Sequence, residues 1–570
     1  ITNVGHGIEL TGLGAAQVDD WRYMYYQTRF NWNRLFAQVY LNQSDAGDTY
    51  LLRTGQPIVD ESTLLVGQVR HGFMPLTWQT LTYGVDYFRT NPRTGGTING
   101  QYEDEDETTE VGAYLQSETA LHPMFDLVLA GRVDDHSALP DMIFSPRAAL
   151  VFKPADDHAL RATFNRAFST PTSLNQFLDL PTSVPNQATD PNAAAAARLG
   201  YSVRVQGTGT TGFTFRQADG SYLMRSPFTP VTLGGPAQLL PASVALFFPA
   251  AVGVFAAQGG CAAVGAAVCG SLGRFNAAAA GVGTNFIAGG GSLPLASLDL
   301  APIAPIRETT TTTYEAGYKG ILQERFSLAA DVWFSRIDDF VTPLTVSTPL
   351  LALNGQTLVQ GLVPHFMADL GMSQAQALAT ATALAPSLAR VPLGVISTAE
   401  INASGAQLLA TYTNVPESLD LWGVDLALQT LITPNWSVTL AGSLVSDDHF
   451  ESEQVGTVTL NAPKRKGSLA VAYRSDESGL GGEVRARYND QFPVKSGVYE
   501  ATACIDDDST ALPCVDSYTL LDLTLGYEFR RAPGMSLQFS VQNLLDEDYR
   551  SFPGVPNVGR MGLVRLRYEF

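Results

Sequence analysis

The sequence of 570 residues predicts an all-β protein: a transmembrane antiparallel β-barrel of about 18 strands with long extracellular loops. Three observations carry that expectation. Apolar and polar residues alternate with a period of two in one segment after another. The connections between those segments alternate between short and long. The mean hydropathy is +0.03 with 16% charged residues, below the roughly 25% of a soluble domain. A strand with one face to lipid and one to water averages near zero in this way.

The alternation is clearest at the C-terminal end. In 562–570, Val564, Leu566, Tyr568 and Phe570 fall on one face, and Arg565, Arg567 and Glu569 on the other, because side chains along a strand alternate. A charge on a lipid face costs roughly 2–4 kcal/mol near the midplane, so the charged set is expected to face the lumen. Leu521, Leu523, Leu525, Tyr527 and Phe529 alternate with Asp522, Thr524, Gly526 and Glu528. Leu537, Phe539 and Val541 alternate with Gln538, Ser540 and Gln542, and 125–134 follows the same rule. Short turns are expected near 31–33, 74–75, 122–123, 154–157, 321–324, 432–435, 475–480 and 530–534. Long loops fall at 46–61, 91–108, 137–144, 169–307, 343–417, 450–464, 493–516 and 546–557. Turns on one side and loops on the other are the polarity of outer-membrane barrels. Trp21, Tyr23 and Tyr25 share a face of an early strand and Trp436 starts one after a short turn, where half-wet aromatic rings suit a membrane interface.

Parity bears on the other end. An even-numbered barrel keeps both termini on the periplasmic side, so the strand at 18–30 needs a partner before it, and 1–14 supplies part of one. About 18 strands result, against about 22 in the large plugged transporters. Residues 1–570 are therefore expected to form a single, N-terminally truncated barrel domain that starts at Ile1 without a signal peptide. Within it, 169–307 is a large extracellular insertion and 343–417 a second long loop.

Composition excludes other classes. With 35 basic and 55 acidic residues the net charge is −20, so the basic footprint of a nucleic-acid binder is missing. Acid collects at 103–107 and 506–508; such runs read as solvated loop faces, the sharper alternative being divalent-cation bridges to an anionic outer leaflet. The apolar stretch 241–257 is shorter than the ~20 residues of a spanning helix and contains Pro249; it is expected to be a short helix or a packed loop segment. Cys261 with Cys269 and Cys504 with Cys514 are two local pairs. They are candidate disulfides in an oxidising compartment, with free thiols as the alternative. His6, His71, His122, His136 and His449 are scattered without metal-ligand spacing. Adjacent acids such as Asp134-Asp135 point to opposite faces of a strand. No catalytic, cofactor or metal constellation emerges, and an enzyme is not expected.

The segment Val541-Gln542-Asn543-Leu544-Leu545-Asp546-Glu547-Asp548-Tyr549-Arg550 and the terminal Tyr568-Glu569-Phe570 resemble the end of a TonB-dependent outer-membrane receptor of Gram-negative bacteria. Ser145-Pro146-Arg147-Ala148-Ala149-Leu150 and Asn165-Arg166-Ala167-Phe168-Ser169-Thr170-Pro171 are similar to that family's mid-barrel hairpin. The resemblance covers most of 60–175 and 308–345 and nearly all of 418–570. It implies an outer-membrane location amid outer-membrane lipid, and Phe570 as the signal to the barrel-assembly machinery. It also implies active import of a small-molecule nutrient such as a ferric siderophore, through a plugged barrel driven by the TonB complex. Plug and TonB box would lie in the missing N-terminal region, since neither is recognised before residue 18.

Loops beyond about 12–15 residues are functional or disordered, so 169–307 is either a lid or substrate-contacting subdomain, or a variable insertion. Arg93, Asn99 and Tyr102 in loop 91–108, with Arg166 and Asn175 at the mouth of the largest loop, suit a polar or anionic ligand; rim contacts are the bland alternative. A passive porin is the rival function. A barrel protease or lipase and a β-sandwich adhesin fit less well.

Overall fold

The computed structural model describes residues 2–11, 14–182, 199–288, 291–294, 299–342, 344–398, 405–452, 456–495, 500–505 and 512–569. Phe570, the alanine run 193–197 and the acidic run 506–508 lie outside the described residues.

The main sheet counts 19 strands, one of them a two-residue piece, Tyr50–Leu51, that pairs with Ala16 and Gln17. The others form the barrel wall. In chain order these are β1 (Thr2–Thr11), β2 (Gly14–Trp32), β3 (Leu35–Asp45), β4 (Thr63–Leu76), β5 (Gln79–Asn91) and β6 (Thr108–His122). Next come β7 (Phe125–His136), β8 (Ile143–Ala155), β9 (His158–Ser169), β10 (Thr309–Leu322), β11 (Phe326–Asp338) and β12 (Leu419–Thr433). β13 (Trp436–Val445), β14 (Arg465–Ser475), β15 (Leu480–Asn489), β16 (Tyr518–Glu528), β17 (Met535–Gln542) and β18 (Met561–Tyr568) complete it. Each pairs antiparallel with the next in sequence. β1 follows β2 only as far as Thr2 opposite Met24, and β18 is paired along β17. No helix among the described residues is long and apolar enough to cross a membrane.

The short turns fall at or within three residues of their expected places. The largest offset is at Pro75, which reads as a turn in the sequence. There β4 instead continues to Leu76 through an irregularity between Phe73 and Leu76, a site that tolerates a missing N–H.

The two faces of the wall differ in chemistry. Val69, Val85, Leu115, Leu129, Leu469 and Leu566 are exposed on the outer face. At the periplasmic end Phe125 stacks on Phe152 at 4.8 Å and Trp436 lies 5.0 Å from Tyr473, an interfacial aromatic band. Trp21, Tyr23 and Tyr25 do not belong to it. They lie on the lumenal set with Gln27, and the Trp21 indole N–H donates to Ser44 Oγ at 2.8 Å. The strand period was right and the face was not, because an aromatic serves either. Leu129→Arg is expected to cost about 2–4 kcal/mol, read as a lower folded fraction in urea titrations in lipid vesicles. An unchanged midpoint would contradict an outward Leu129.

Candidate functional site

Above the wall, the two longest loops build one folded body. Asp179–Thr182, Ser202–Gln206, Gln407–Thr411 and Thr345–Val346 make a four-stranded sheet. Its central pair is parallel, one strand from each loop. A second sheet runs Leu240–Pro241, Leu223–Arg225, Gly394–Ile396, Leu350–Leu353, Thr284–Ala288 and Gly291–Pro294. Helices cover it, the longest being α1 (Phe248–Ala257), α2 (Gly355–Leu370) and α3 (Gln374–Ala389). Pro249, which interrupts the apolar stretch in the sequence, sits in the first turn of α1, where a missing N–H costs nothing. Asn354 caps α2 by accepting from Thr357 N at 2.9 Å, and Ser373 and Gln376 form a capping box on α3. The helices close on Met224, Phe248, Phe286, Leu351, Leu362 and Phe366, which are almost wholly buried. Each such side chain contributes roughly 1.5–3 kcal/mol by leaving water, so the described parts of 169–307 and 343–417 share one core. Cys261–Cys269 and Cys504–Cys514 are disulfide-bonded.

Loop 91–108 is sewn to this body along one seam. The Asp179 carboxylate, with no exposed side-chain surface, accepts from Arg204 Nε at 2.5 Å and Nη2 at 2.6 Å, and from the backbone N–H of Gln101 at 2.7 Å. Gly100 has φ +44° there, and a Cβ on it would overlap the Asp179 carboxylate and carbonyl; only glycine fits. The Tyr102 hydroxyl donates to Gly207 O at 3.3 Å and accepts from Gln206 Nε2 at 3.2 Å, while its ring meets Phe177 edge-on at 6.0 Å.

The acidic run 103–107 is only partly a solvated face. Glu103 accepts from Thr94 N at 2.8 Å, Thr94 Oγ1 at 2.5 Å, Gly95 N at 3.0 Å and Gly96 N at 3.1 Å. Partial burial pushes its pKa up, but those donors outweigh it and hold the carboxyl below the ordinary value of 4.5. Asp106 is buried against Asn99, and burial raises its pKa. Glu107 pairs with Arg89 at 2.8 Å. A carboxyl with a lowered folded pKa contributes stability above its unfolded value, lost as pH falls through the folded one. Glu103→Gln is therefore expected to destabilise loop 91–108 by about 2–3 kcal/mol at neutral pH. The gap to the parent should close below pH 4.5, measured by amide exchange of 92–107; a gap independent of pH would refute the charge-based role.

The predicted binding residues do not converge on one pocket. Asn99 is buried, donating to Asp106 Oδ2 at 2.5 Å, and Tyr102 belongs to the seam. Asn175 Oδ1 accepts from Thr172 N at 2.9 Å in the capping box of the short helix Ser173–Phe177. Arg166 is exposed but points outward, opposite Thr312 and in step with Leu160 and Phe164; strand alternation puts it one position out of phase with the lumenal Arg161. Arg93 is exposed on the extracellular rim. Sequence reasoning missed Asp179 and Arg204, which lie 25 residues apart; the alternation Tyr201-Ser202-Val203-Arg204-Val205 is the signal that marks the second as a strand residue.

Below the loops, polar side chains join across the lumenal face. Gln38 meets Gln68, which donates to Asp86 at 3.2 Å; Arg132 then bridges Asp86 at 2.5 Å and Asp134 at 2.8 Å. Gly112 stands between Asp86 and Asp134 in register, and a Cβ on it would collide with the Arg132 guanidinium. The pattern repeats where Arg161 reaches across Gly317 to Asp331 at 2.9 Å. Trp333 Nε1 and Ser443 Oγ donate to Asp425 at 2.9 and 2.6 Å. Among the described residues no group of three or more His, Cys, Asp or Glu is placed to share a metal ion.

An outward apolar wall, a polar lumen and loops built up on one rim are the geometry of a large outer-membrane receptor barrel, and the sequence profile of the TonB dependent receptor-like β-barrel matches residues 3–222 and 270–544. The chain belongs to this family. Its members are outer-membrane receptors of Gram-negative bacteria rather than enzymes, and the location in the outer membrane follows. Among solved structures, this receptor barrel is similar to the siderophore receptor PirA from Acinetobacter baumannii, at 13% identity and TM-score 0.52, over 98% of this chain and 63% of that one. It is also similar to a variant of the ferric enterobactin receptor PfeA from Pseudomonas aeruginosa, at 11% identity and TM-score 0.53, over 96% and 62%. The copper transporter OprC gives 12%, 0.51, 98% and 66%. The receptor barrel thus spans less than two thirds of the length of the first two structures. A search of curated proteins finds no matching relative.

Proposed function

We propose that this chain is the wall and extracellular body of a receptor that imports a scarce nutrient, a ferric siderophore or similarly bulky ligand, through a plugged barrel coupled to the TonB complex. The observation that carries the reading is the folded body of two interleaved loops above a polar lumen. A passive pore gains nothing from such a body, whereas a receptor for a rare solute needs a shaped outer surface. Names of similar structures, a siderophore receptor and a ferric enterobactin receptor, favour a ferric chelate. Of the predicted contacts, Arg93 is the one we assign to the ligand, because its charge is exposed on the extracellular rim. The remaining partners in this reading are outer-membrane lipid along the apolar wall and the barrel-assembly machinery at Phe570.

The test is uptake of a radiolabelled ferric siderophore panel by cells carrying the complete gene, with and without a functional TonB complex. Uptake that saturates, needs TonB and weakens in Arg93→Ala supports the proposal. Linear, TonB-independent flux of small solutes would replace it with a passive porin.

A further inference from the structure

Away from the seam and the lumen, one buried cation has no counter-charge among the described residues. Arg225 ends the strand Leu223–Arg225 inside the six-stranded sheet, paired with Val395, and is 8% exposed. A guanidinium has five N–H donors. Its Nε donates to Ala237 O at 3.2 Å and its Nη1 reaches Ser397 Oγ at 3.5 Å; Nη2 has no partner among the described residues. Burial lowers its pKa, with no acidic group opposing, yet arginine stays protonated at any working pH.

Two further groups at the same place are also unused. Thr398 Oγ1 and Gln407 Oε1 are buried without a hydrogen-bond partner. Together with Arg225 and Ser397 they line a cavity of about 10 Å³, room for about one water-sized particle. A water would satisfy hydrogen bonds but leave the charge, and a buried unpaired charge is strongly disfavoured. A single-atom ion suits this small space better than a carboxylate or phosphate with several oxygens to satisfy.

We propose that this cavity binds a single chloride ion, held by Nη2 of Arg225, the Thr398 hydroxyl and the Gln407 amide turned so that its N–H faces inward. The amide turn exchanges two groups of similar shape. The ion neutralises Arg225 and ties 223–225 to 394–398 and 405–407, the strands that join the two loops. With a net charge of −20, the chain as a whole repels anions, so a saturable chloride effect reports a local site rather than general screening.

The test uses the full chain purified in detergent, with bromide as the crystallographic probe. An anomalous bromine peak is expected within hydrogen-bond reach of Arg225 Nη2 and Thr398 Oγ1. In solution, amides of 223–225 and 394–398 should exchange about tenfold more slowly in chloride at ten times its Kd than in gluconate of equal ionic strength. Arg225→Met should abolish that difference, and Thr398→Val, which keeps the cation, should weaken it if the first variant does not fold. Absence of a bromine peak overturns the proposal. So does a peak with equal exchange in both salts, an adventitious ion only, or a chloride effect that survives in both variants.

Discussion

Asp179→Ala is expected to remove about 3–5 kcal/mol of the attachment between loop 91–108 and the extracellular body, because it leaves the Arg204 guanidinium half-buried without its partner. The carboxylate takes two hydrogen bonds from Arg204 and one from the Gln101 backbone, so three donors lose their acceptor at once. Amide exchange should rise across 98–102 and 202–206 and stay unchanged in the barrel strands. Arg204→Leu strands the acid instead and should cost a similar amount. The double variant Asp179→Leu/Arg204→Leu should recover much of the loss, since two apolar groups need no partners. If Asp179→Ala leaves exchange at 98–102 at the parental rate, the ion pair does not hold the seam.

The second large effect is expected at Phe366. It is 0% exposed on α2, packed among Leu362, Leu384 and Leu388 in the main extracellular core. Phe366→Ala deletes a ring from a closed core and should cost about 3–5 kcal/mol. The cost falls on the body and not on the wall, because none of the wall strands contributes to that core. Proteolysis should then cut within 199–396 in the variant and not in the parent, while both keep the compact, heat-modifiable migration of a folded barrel. Equal protease resistance would mean that the body is not held by its own core.

The wall was legible in the sequence because period-two alternation under lipid is enforced residue by residue. The pairs Leu537 with Leu566 and Gln538 with Arg565 follow the face assignment made from spacing alone. What stayed hidden was non-local. Ser202–Gln206 pairs in parallel with Gln407–Thr411 across some two hundred residues, and short buried strands such as Leu350–Leu353 carry no alternation that would announce them. Asn99 and Tyr102 stand out in the sequence as candidate ligand contacts, but composition does not distinguish a side chain that meets ligand from one that meets Asp106 or Gly207. Arg166 lies one step of strand phase from the lumenal set of Arg161. The glycines under Arg132 and Arg161 look like weak strand residues in sequence and are instead the space through which the lumenal ion pairs cross.

The chain passes between wall and body at four points: after Ser169, before Thr309, after Asp338 and before Leu419. Those ends belong to β9, β10, β11 and β12, which are neighbours in the wall. All covalent attachments therefore sit on one arc of the rim, like the knuckles of a hinge. Away from that arc the contacts are non-covalent: Asp179, Gln206 and Gly207 of the body against Gln101 and Tyr102 in the loop of β5 and β6, and Gln176 against Ala138 above β7. Those residues act as the catch. A load on the body bears first on the catch, whose strength is set by one buried ion pair, while the four backbone crossings keep the body in register for reclosure.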